Sequence, residues 1–168
     1  MANRSRITLD TGTIPAVAAS VLCETVCCFE MGDTVLVETG RHGVRVAYTS
    51  SRDSRDASDV TRLECRVDLQ TSEMWIDDLR VVDSLRSNGI GRQLVAAAER
   101  IASALALQTV NVFPLMSAER FWRKMGYASH PRTARVVTKD VRKARPASRL
   151  SFSSVEGAKA IVDSAEWK

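Results

Sequence analysis

The sequence predicts an α+β domain, and three observations predict it. Short β-rich runs follow one another between Thr34 and Val82, separated by turn-forming residues. At Gly89 the apolar spacing switches to that of a helix. The chain has 168 residues and no internal repeat, which suits one ordinary domain with its own core and excludes a solenoid or propeller.

The elements follow in order. Ile14, Val17, Ala18, Val21 and Leu22 recur at helical spacing, with Thr13 as a cap and Pro15 near the start. Gly32 is the expected stop. Thr34–Thr39 and Val44–Tyr48 flank Gly40-Arg41-His42-Gly43, the pattern of a hairpin. Ser50–Asp59 is rich in Ser, Asp and Arg and reads as a loop. Leu63–Leu69 and Met74–Val82 are two further strands around a turn at Gln70–Glu73. After Gly89-Ile90-Gly91, the residues Leu94, Val95, Ala98, Ile101, Ala102 and Leu105 form one apolar stripe of a helix. Thr109–Phe113 is a short strand. Ser117–Met125 is a short helix with Ser117 as N-cap and Gly126 as stop. Ala134–Thr138 is a last core strand. Ser153-x-x-Glu156 has the form of a capping box, and Val155, Ala158, Ile161, Val162 and Ala165 give the following segment an apolar face. The expected organisation is a single domain over residues 1–140, then a basic linker and a C-terminal amphipathic helix over 141–168.

Composition narrows the function classes. Hydrophobic residues are 45% and charged residues 26%, as in a soluble globular protein. No apolar run approaches the ~20 residues of a membrane span. The basic N-terminus meets Asp10 before any apolar core, so it does not read as a secretory signal. The four cysteines, Cys23, Cys27, Cys28 and Cys65, are expected to be reduced thiols in a cytoplasmic protein, without a metal. His42 and His130 are expected at the surface. The net charge of +4 is concentrated between Arg132 and Arg149, where Asp140 is the lone acid. That segment, 132–149, either is solvated or meets an acidic partner such as nucleic acid. We expect a monomer or homodimer.

The chemistry lies in Leu79-Arg80-Val81-Val82-Asp83-Ser84-Leu85-Arg86-Ser87-Asn88-Gly89-Ile90-Gly91-Arg92-Gln93-Leu94. A strand passes through a turn into a helix that begins at a glycine pair. The first amides of a helix have no intrahelical partner, and the macrodipole adds positive charge there. Glycines at 89 and 91 let a phosphate approach the backbone. Arg86 and Arg92 add formal charge, so a pyrophosphate is the natural ligand. A dinucleotide fold would want a third glycine at residue 94, which is Leu. A P-loop would want Lys-Ser/Thr after Gly91, where Arg92-Gln93 stands.

What remains is Leu-x-Val followed by Arg86-x-x-Gly89-x-Gly91, and then Ala118-x-x-Phe121-Trp122-x-x-x-Gly126-Tyr127. These two segments resemble, in order, two motifs of the GNAT superfamily of acyl-CoA-dependent N-acetyltransferases. The resemblance covers about Met74 to Tyr127. It implies a three-layer α/β/α arrangement with a mixed, mostly antiparallel central sheet flanked by helices. Met74–Val82 and Thr109–Phe113 would be two parallel strands that splay to admit the pantetheine arm of acetyl-CoA. Leu79, Arg80 and Val81 would line that arm, and Arg86, Ser87, Asn88, Gly89, Ile90, Gly91 and Arg92 would cradle the pyrophosphate. An amide near Leu79 would polarise the thioester carbonyl.

The implied reaction is attack of an amine on the thioester, so a base must take a proton. Asp77 and Asp78 are neighbours on a strand and face opposite ways. On that alternation Asp77 shares a face with Leu79 and Val81 and is the expected base, while Asp78 has Arg80 as a possible ion-pair partner. Trp122 stands where many relatives have the tyrosine assigned to protonating the thiolate, and indole is no proton source. Water or Ser117 would then serve the thiolate, or it leaves unaided. Leu115 replaces a residue that is often Asn. The acceptor is an amine, with a protein or peptide amine favoured. Two other readings stay open. One is an acyl-CoA-binding interaction module with weak catalysis, and the other is a transferase acting on an RNA-associated amine.

Overall fold

The computed structural model describes residues 13–25, 34–40, 43–50, 60–68, 70–142 and 160–162. Helix α1 is Thr13–Thr25, and Ile14, Val17, Ala18, Val21 and Leu22 are all buried, as their spacing requires. The expected stop at Gly32 lies outside the described residues. Strands β1 (Thr34–Gly40) and β2 (Gly43–Thr49) pair antiparallel out to Gly40↔Gly43. The tip of that hairpin, residues 41–42, and the loop over 51–59 lie outside the described residues.

Strands β3 (Arg62–Asp68) and β4 (Glu73–Arg80) form a second antiparallel pair. In the turn between them Asp68 Oδ1 accepts hydrogen bonds from the amides of Gln70 at 2.8 Å and Thr71 at 3.1 Å, an Asx turn. Then come α2 (Ile90–Ala104), β5 (Thr109–Val112), α3 (Glu119–Lys124), β6 (Ala128–Ser129), β7 (Val137–Asp140) and β8 (Ala160–Val162). The strands lie in one sheet in the order β6-β7-β5-β4-β3-β2-β1-β8. The β4–β5 and β1–β8 pairs are parallel and the rest are antiparallel. The sheet is therefore mixed and mostly antiparallel, as expected.

Register places one apolar set on one face. Val46 lies opposite Val37 and Cys65, Tyr48 opposite Leu63, and Met74 opposite Val67 and Val110. All are buried in one core with Leu94, Val95, Ala98, Ile101 and Ala102 of α2 and the apolar side of α1. This is the helical face of the sheet. The other face carries Arg45, Glu64, Arg66 and Trp75, which alternate with the core positions.

Three expectations need correction. Ser117 does not cap α3. It sits in a 3-10 turn, Met116–Ala118, and Ala118 takes the N-cap position without a side-chain bond. The turn's own Ala118 N–H to Leu115 C=O bond, 2.8 Å, holds Ser117 out of the extended backbone a capping serine needs. The last core strand runs over Val137–Asp140, not 134–138, because Arg135 is left-handed at φ 63 and breaks the extended backbone ahead of it. Ala160–Val162 is a strand, not part of a helix. The outer edge of β1 offers unpaired backbone groups, and β-branched Ile161 and Val162 pair there with Leu36 and Val37. The rest of that predicted helix lies outside the described residues.

Candidate active site

The site begins with a bulge. In the β3–β4 ladder Cys65 pairs with Ile76, but Glu64 pairs with Asp78. Asp77 is an extra residue with no opposite number. The bulge resets the alternation of β4. Leu79 pairs with Leu63 and so shares the helical face with Met74 and Ile76. Asp77 and Asp78 both lean to the opposite face, where Arg66 and Arg62 hold them. The Arg66–Asp77 pair is 3.2 Å, and Arg62 Nε donates to Asp78 Oδ2. The expectation that Asp77 shares a face with Leu79 therefore fails, because simple alternation cannot cross a bulge. Asp78 has a cross-strand neighbour, Arg62, as an ion-pair partner.

Beside the bulge the pairing of β4 with β5 ends. The parallel β4–β5 ladder stops at Ile76↔Val112. Beyond it β4 continues to Arg80 along β3 alone. On the β5 side its main-chain groups have no strand partner among the described residues. Asp77 and Phe113 are the first residues past the last paired position, one on each lip of the opening.

Past Arg80 the chain turns through a 3-10 segment, Asp83–Leu85, and reaches α2. Gly89 is the N-cap of α2 at φ 82, ψ 0, a left-handed conformation that favours glycine. A Cβ there would have nothing within 4 Å. No side chain caps the helix, and the first helical bond is Gln93 N–H to Gly89 C=O at 3.1 Å. The amides before Gln93 thus face a cleft of about 520 Å³ lined by Val81, Leu85, Arg86 to Arg92 and Phe121. Ser87 is also left-handed, φ 68, so the loop is curled around the cleft. Every residue expected to cradle the pyrophosphate lines this one space. Val81 lines it too, while Leu79 and Arg80 lie on β4 before it.

The charges at the cleft are less free than the sequence suggests. Arg86 donates to the Val81 carbonyl at 3.1 Å and pairs with Asp83 at 2.8 Å. Arg92 has no carboxylate partner among the described residues. The positive potential is therefore largely backbone and macrodipole, with Arg92 as the uncommitted cation.

The aromatic motif divides its roles. Phe121 reaches the cleft, and its ring lies 3.7 Å from where a Cβ on Gly91 would stand. Trp122 is buried, packed edge-on between Phe121 and Tyr127 with centroids 5.1 Å from each. Trp122 lies within the core, and Phe121, partly buried, packs against it from the cleft side. The chain's two tyrosines, Tyr48 and Tyr127, are 0% and 3% exposed. Burial, then the charge of Glu99, pushes the Tyr127 phenol far above its ordinary range. Neither tyrosine can stand in for the one replaced by Trp122.

The other expected groups are spread out. Ser117 is exposed in the turn before α3 and does not line the cleft. His130 is held in a turn, its Nδ1 accepting from the Arg132 amide at 3.2 Å. In the basic segment, Lys139 is bonded to both Glu99 oxygens, at 2.8 and 2.9 Å, and to the Met125 carbonyl. Arg142 pairs with Asp140 at 2.7 Å. Cys65 is a free, buried thiol. Among the described residues no helix is long and apolar enough to cross a membrane.

Arg66, Trp75 and Phe113 went unnoticed in the sequence. Trp75 stacks on Phe113 with centroids 5.4 Å apart, and the Arg66 guanidinium lies 5.9 Å from the Trp75 centroid. The one available signal was the period of β4, which puts Trp75 opposite in face to Met74 and Ile76.

Comparison with known proteins gives the same assignment as the geometry. The sequence profile of the Acetyltransferase (GNAT) family matches residues 26–127. No curated protein matches the chain. Among solved structures, Tetrahymena GCN5 is similar at 9% identity, with 86% of this chain and 94% of that one covered and a TM-score of 0.50. This is a likeness of fold. A nourseothricin acetyltransferase has 15% identity and a TM-score of 0.47, with 58% of this chain and 65% of that one covered, less than two thirds of its length. An aminoglycoside 6'-N-acetyltransferase complexed with coenzyme A has 15% identity and a TM-score of 0.44, with 58% and 73% covered. The profile spans more than half of the sequence and includes the parallel β4–β5 pair, the glycine-capped helix and the aromatic turn: the chain belongs to the acetyltransferase (GNAT) family.

Proposed function

We propose that the protein transfers the acetyl group of acetyl-CoA to a primary amine at the opening between β4 and β5. The observation that carries this is the uncapped N-terminus of α2, with Gly89 left-handed and open space above it. A pyrophosphate fits there on charge and on room. The amides of Gly89, Ile90, Gly91 and Arg92 would receive its oxygens, with Arg92 and Arg86 adding charge and Ser87 and Asn88 shaping the loop. From there the pantetheine would pass Val81 and Arg80 toward the unpaired edge of β4. An amide at Leu79 would bond the thioester oxygen as negative charge develops on it.

The chemistry balances without a metal or redox partner. The amine enters as an ammonium and loses a proton to Asp77, directly or through water. Its nitrogen forms a C–N bond as the C–S bond breaks, and the electron pair leaves on the thiolate. A thiol of pKa ~8.5 leaves without a strong acid. Water or Ser117 returns the proton, and the second amine proton goes to solvent. The acceptor is a protein, peptide or small primary amine. An acidic partner at 132–149 is not needed for this reading, since Lys139 and Arg142 are already engaged. The free Cys65 thiol suits a cytoplasmic setting.

The test is calorimetry of acetyl-CoA on the wild type and on Gly89→Glu, with thiol release followed against a panel of amines. A glutamate there would strain the backbone, enter the open space and repel phosphate, so affinity should fall at least about 100-fold. Amine-dependent thiol release in the wild type completes the case. Equal binding by both proteins would refute the assignment of the site.

A further inference from the structure

The wall beyond the sheet opening, on the face away from α2, has a composition that selects among amines. Helix α2 and the cleft at its N-terminus occupy the helical face. An amine that meets the thioester between the strands therefore has the opposite face for its approach. On that face the register places Arg66 opposite Trp75 and Trp75 opposite Asn111. Phe113, two residues after Asn111, projects to the same side and stacks on Trp75 at an interplanar angle of 23°. Phe113 forms one lip of the opening and Asp77 the other. Past the Phe113 lip, Leu115 and Met116 stand out from the protein. Phe113, Leu115 and Met116 are 63%, 76% and 90% exposed, three large apolar side chains in one short stretch.

The charges of this wall nearly cancel. Asp77 is paired with Arg66, and Asp78 with Arg62. Neither of these two carboxylates is left over to hold a second cation. What the wall offers is one carboxylate at the opening, held by an exposed ion pair that an ammonium can share, and a broad apolar surface beside it.

We propose, on the reading of the site given above, that the acceptor is a primary amine with a single positive charge attached to an aromatic or large apolar body. The ammonium lies at Asp77 and the apolar body on Phe113, with Leu115 and Met116 extending the surface. Phe113 is then a specificity-determining residue, its ring held flat by Trp75, which Arg66 covers in turn. Free arylalkylamines and the amino terminus of a peptide beginning with a bulky apolar residue present the same chemistry. Polyamines and aminoglycosides do not.

The test uses the full chain saturated with coenzyme A. Binding of 2-phenylethylamine, phenylalanyl-glycinamide, spermidine and kanamycin is measured by calorimetry on the wild type and on Phe113→Ser. Thiol release from acetyl-CoA is then measured with the same amines. One or both aromatic amines should bind more tightly than spermidine and kanamycin, and Phe113→Ser should weaken them about tenfold while acetyl-CoA affinity stays unchanged. The aromatic probe that binds better tells a free amine from a peptide terminus. Tighter binding of the polycations, or equal aromatic binding by wild type and variant, overturns the proposal even if turnover is seen. Tight, Phe113-dependent binding without thiol release upholds the amine site on this wall and sinks the transferase reading, and with it the amine's role as acceptor.

Discussion

The two faces of the sheet are built from the same strands by different means. Under α1 and α2 the residues are apolar and close-packed, and the cleft at the edge of that face surrounds the uncapped start of α2. On the opposite face the strands are tied by charge. Arg45 bridges Glu38 on β1 at 3.3 Å and Glu64 on β3 at 2.5 Å, and β3 arginines hold both aspartates of β4. The Arg45 guanidinium is held further toward its charged form chiefly by its hydrogen bond to Glu64. The bulge at Asp77 is where the two schemes meet. It keeps Leu79 on the packed face, sends two carboxylates to the charged one, and ends the pairing with β5.

Removing the bulge is the strongest way to break this comparison. Deletion of Asp77 would let Asp78 follow Ile76 in a regular ladder with Glu64 and Cys65, without moving Leu79 off the packed face. The protein should still fold. The opening should narrow and the carboxylate goes with the residue, so acetyl transfer should fall at least about 100-fold below that of Asp77→Asn, since small displacements of reacting groups carry that cost. Asp77→Asn keeps the bulge and removes the proposed base. It should lower kcat by about 100-fold with acetyl-CoA affinity unchanged. Steady-state kinetics and calorimetry on both variants separate shape from proton transfer. A deletion variant of normal activity would show that the bulge is not what opens the site.

The helical face and its cleft were legible because their requirements are local. The proposed phosphate cradle needs glycine at fixed places beside a helix start, and Gly89 and Gly91 supply it within three residues. The stripe from Leu94 to Leu105 states the helix itself. The charged face was not legible, because its pairs join residues far apart in sequence. Arg66 meets Asp77 only through the β3–β4 register, and Trp75 meets Phe113 only through the parallel pairing with β5. A single bulged residue then reverses the side on which Asp77 stands relative to Leu79, and no periodicity argument carries across it. The tail misled for a related reason. Ile161 and Val162 fit a helical stripe and a strand equally, and the free edge of β1 decided between them.

The two faces should also differ in what a lost charge costs. Lys139 reaches under α2 from β7, and the Lys139 and Glu99 side chains are 30% and 19% exposed. Lys139→Met leaves Glu99 without its cation in a largely dry place and should cost about 2 kcal/mol, between the values for surface and buried pairs. Arg45→Met, on the charged face, should cost less than about 1 kcal/mol, because water replaces the guanidinium. Urea denaturation of both variants checks the ranking. Equal losses would mean that the charged face is as dry as the packed one.

The smallest effect is the most specific to the packed face. Burial raises the Cys65 thiol and the Tyr127 phenol well above their ordinary values, with nearby acids adding to the shift. In the unfolded chain they ionise near pH ~8.5 and ~10. Both groups are neutral when protonated, and the folded state keeps those protons longer. Their contribution is therefore whole below the unfolded values and declines as pH rises toward the folded ones, by up to about 1.4 kcal/mol per pH unit for each group. The Tyr127 hydroxyl has no hydrogen-bond partner among the described residues, so Tyr127→Phe should change stability little at pH 7. Above about pH 10 the variant should lose stability less steeply than the wild type, by the share of one phenol. The difference between the two urea curves, taken from pH 7 to 11, isolates that share from every other titrating group. Parallel slopes would mean that the phenol ionises in the folded protein and that water reaches the space between α2, α3 and β7.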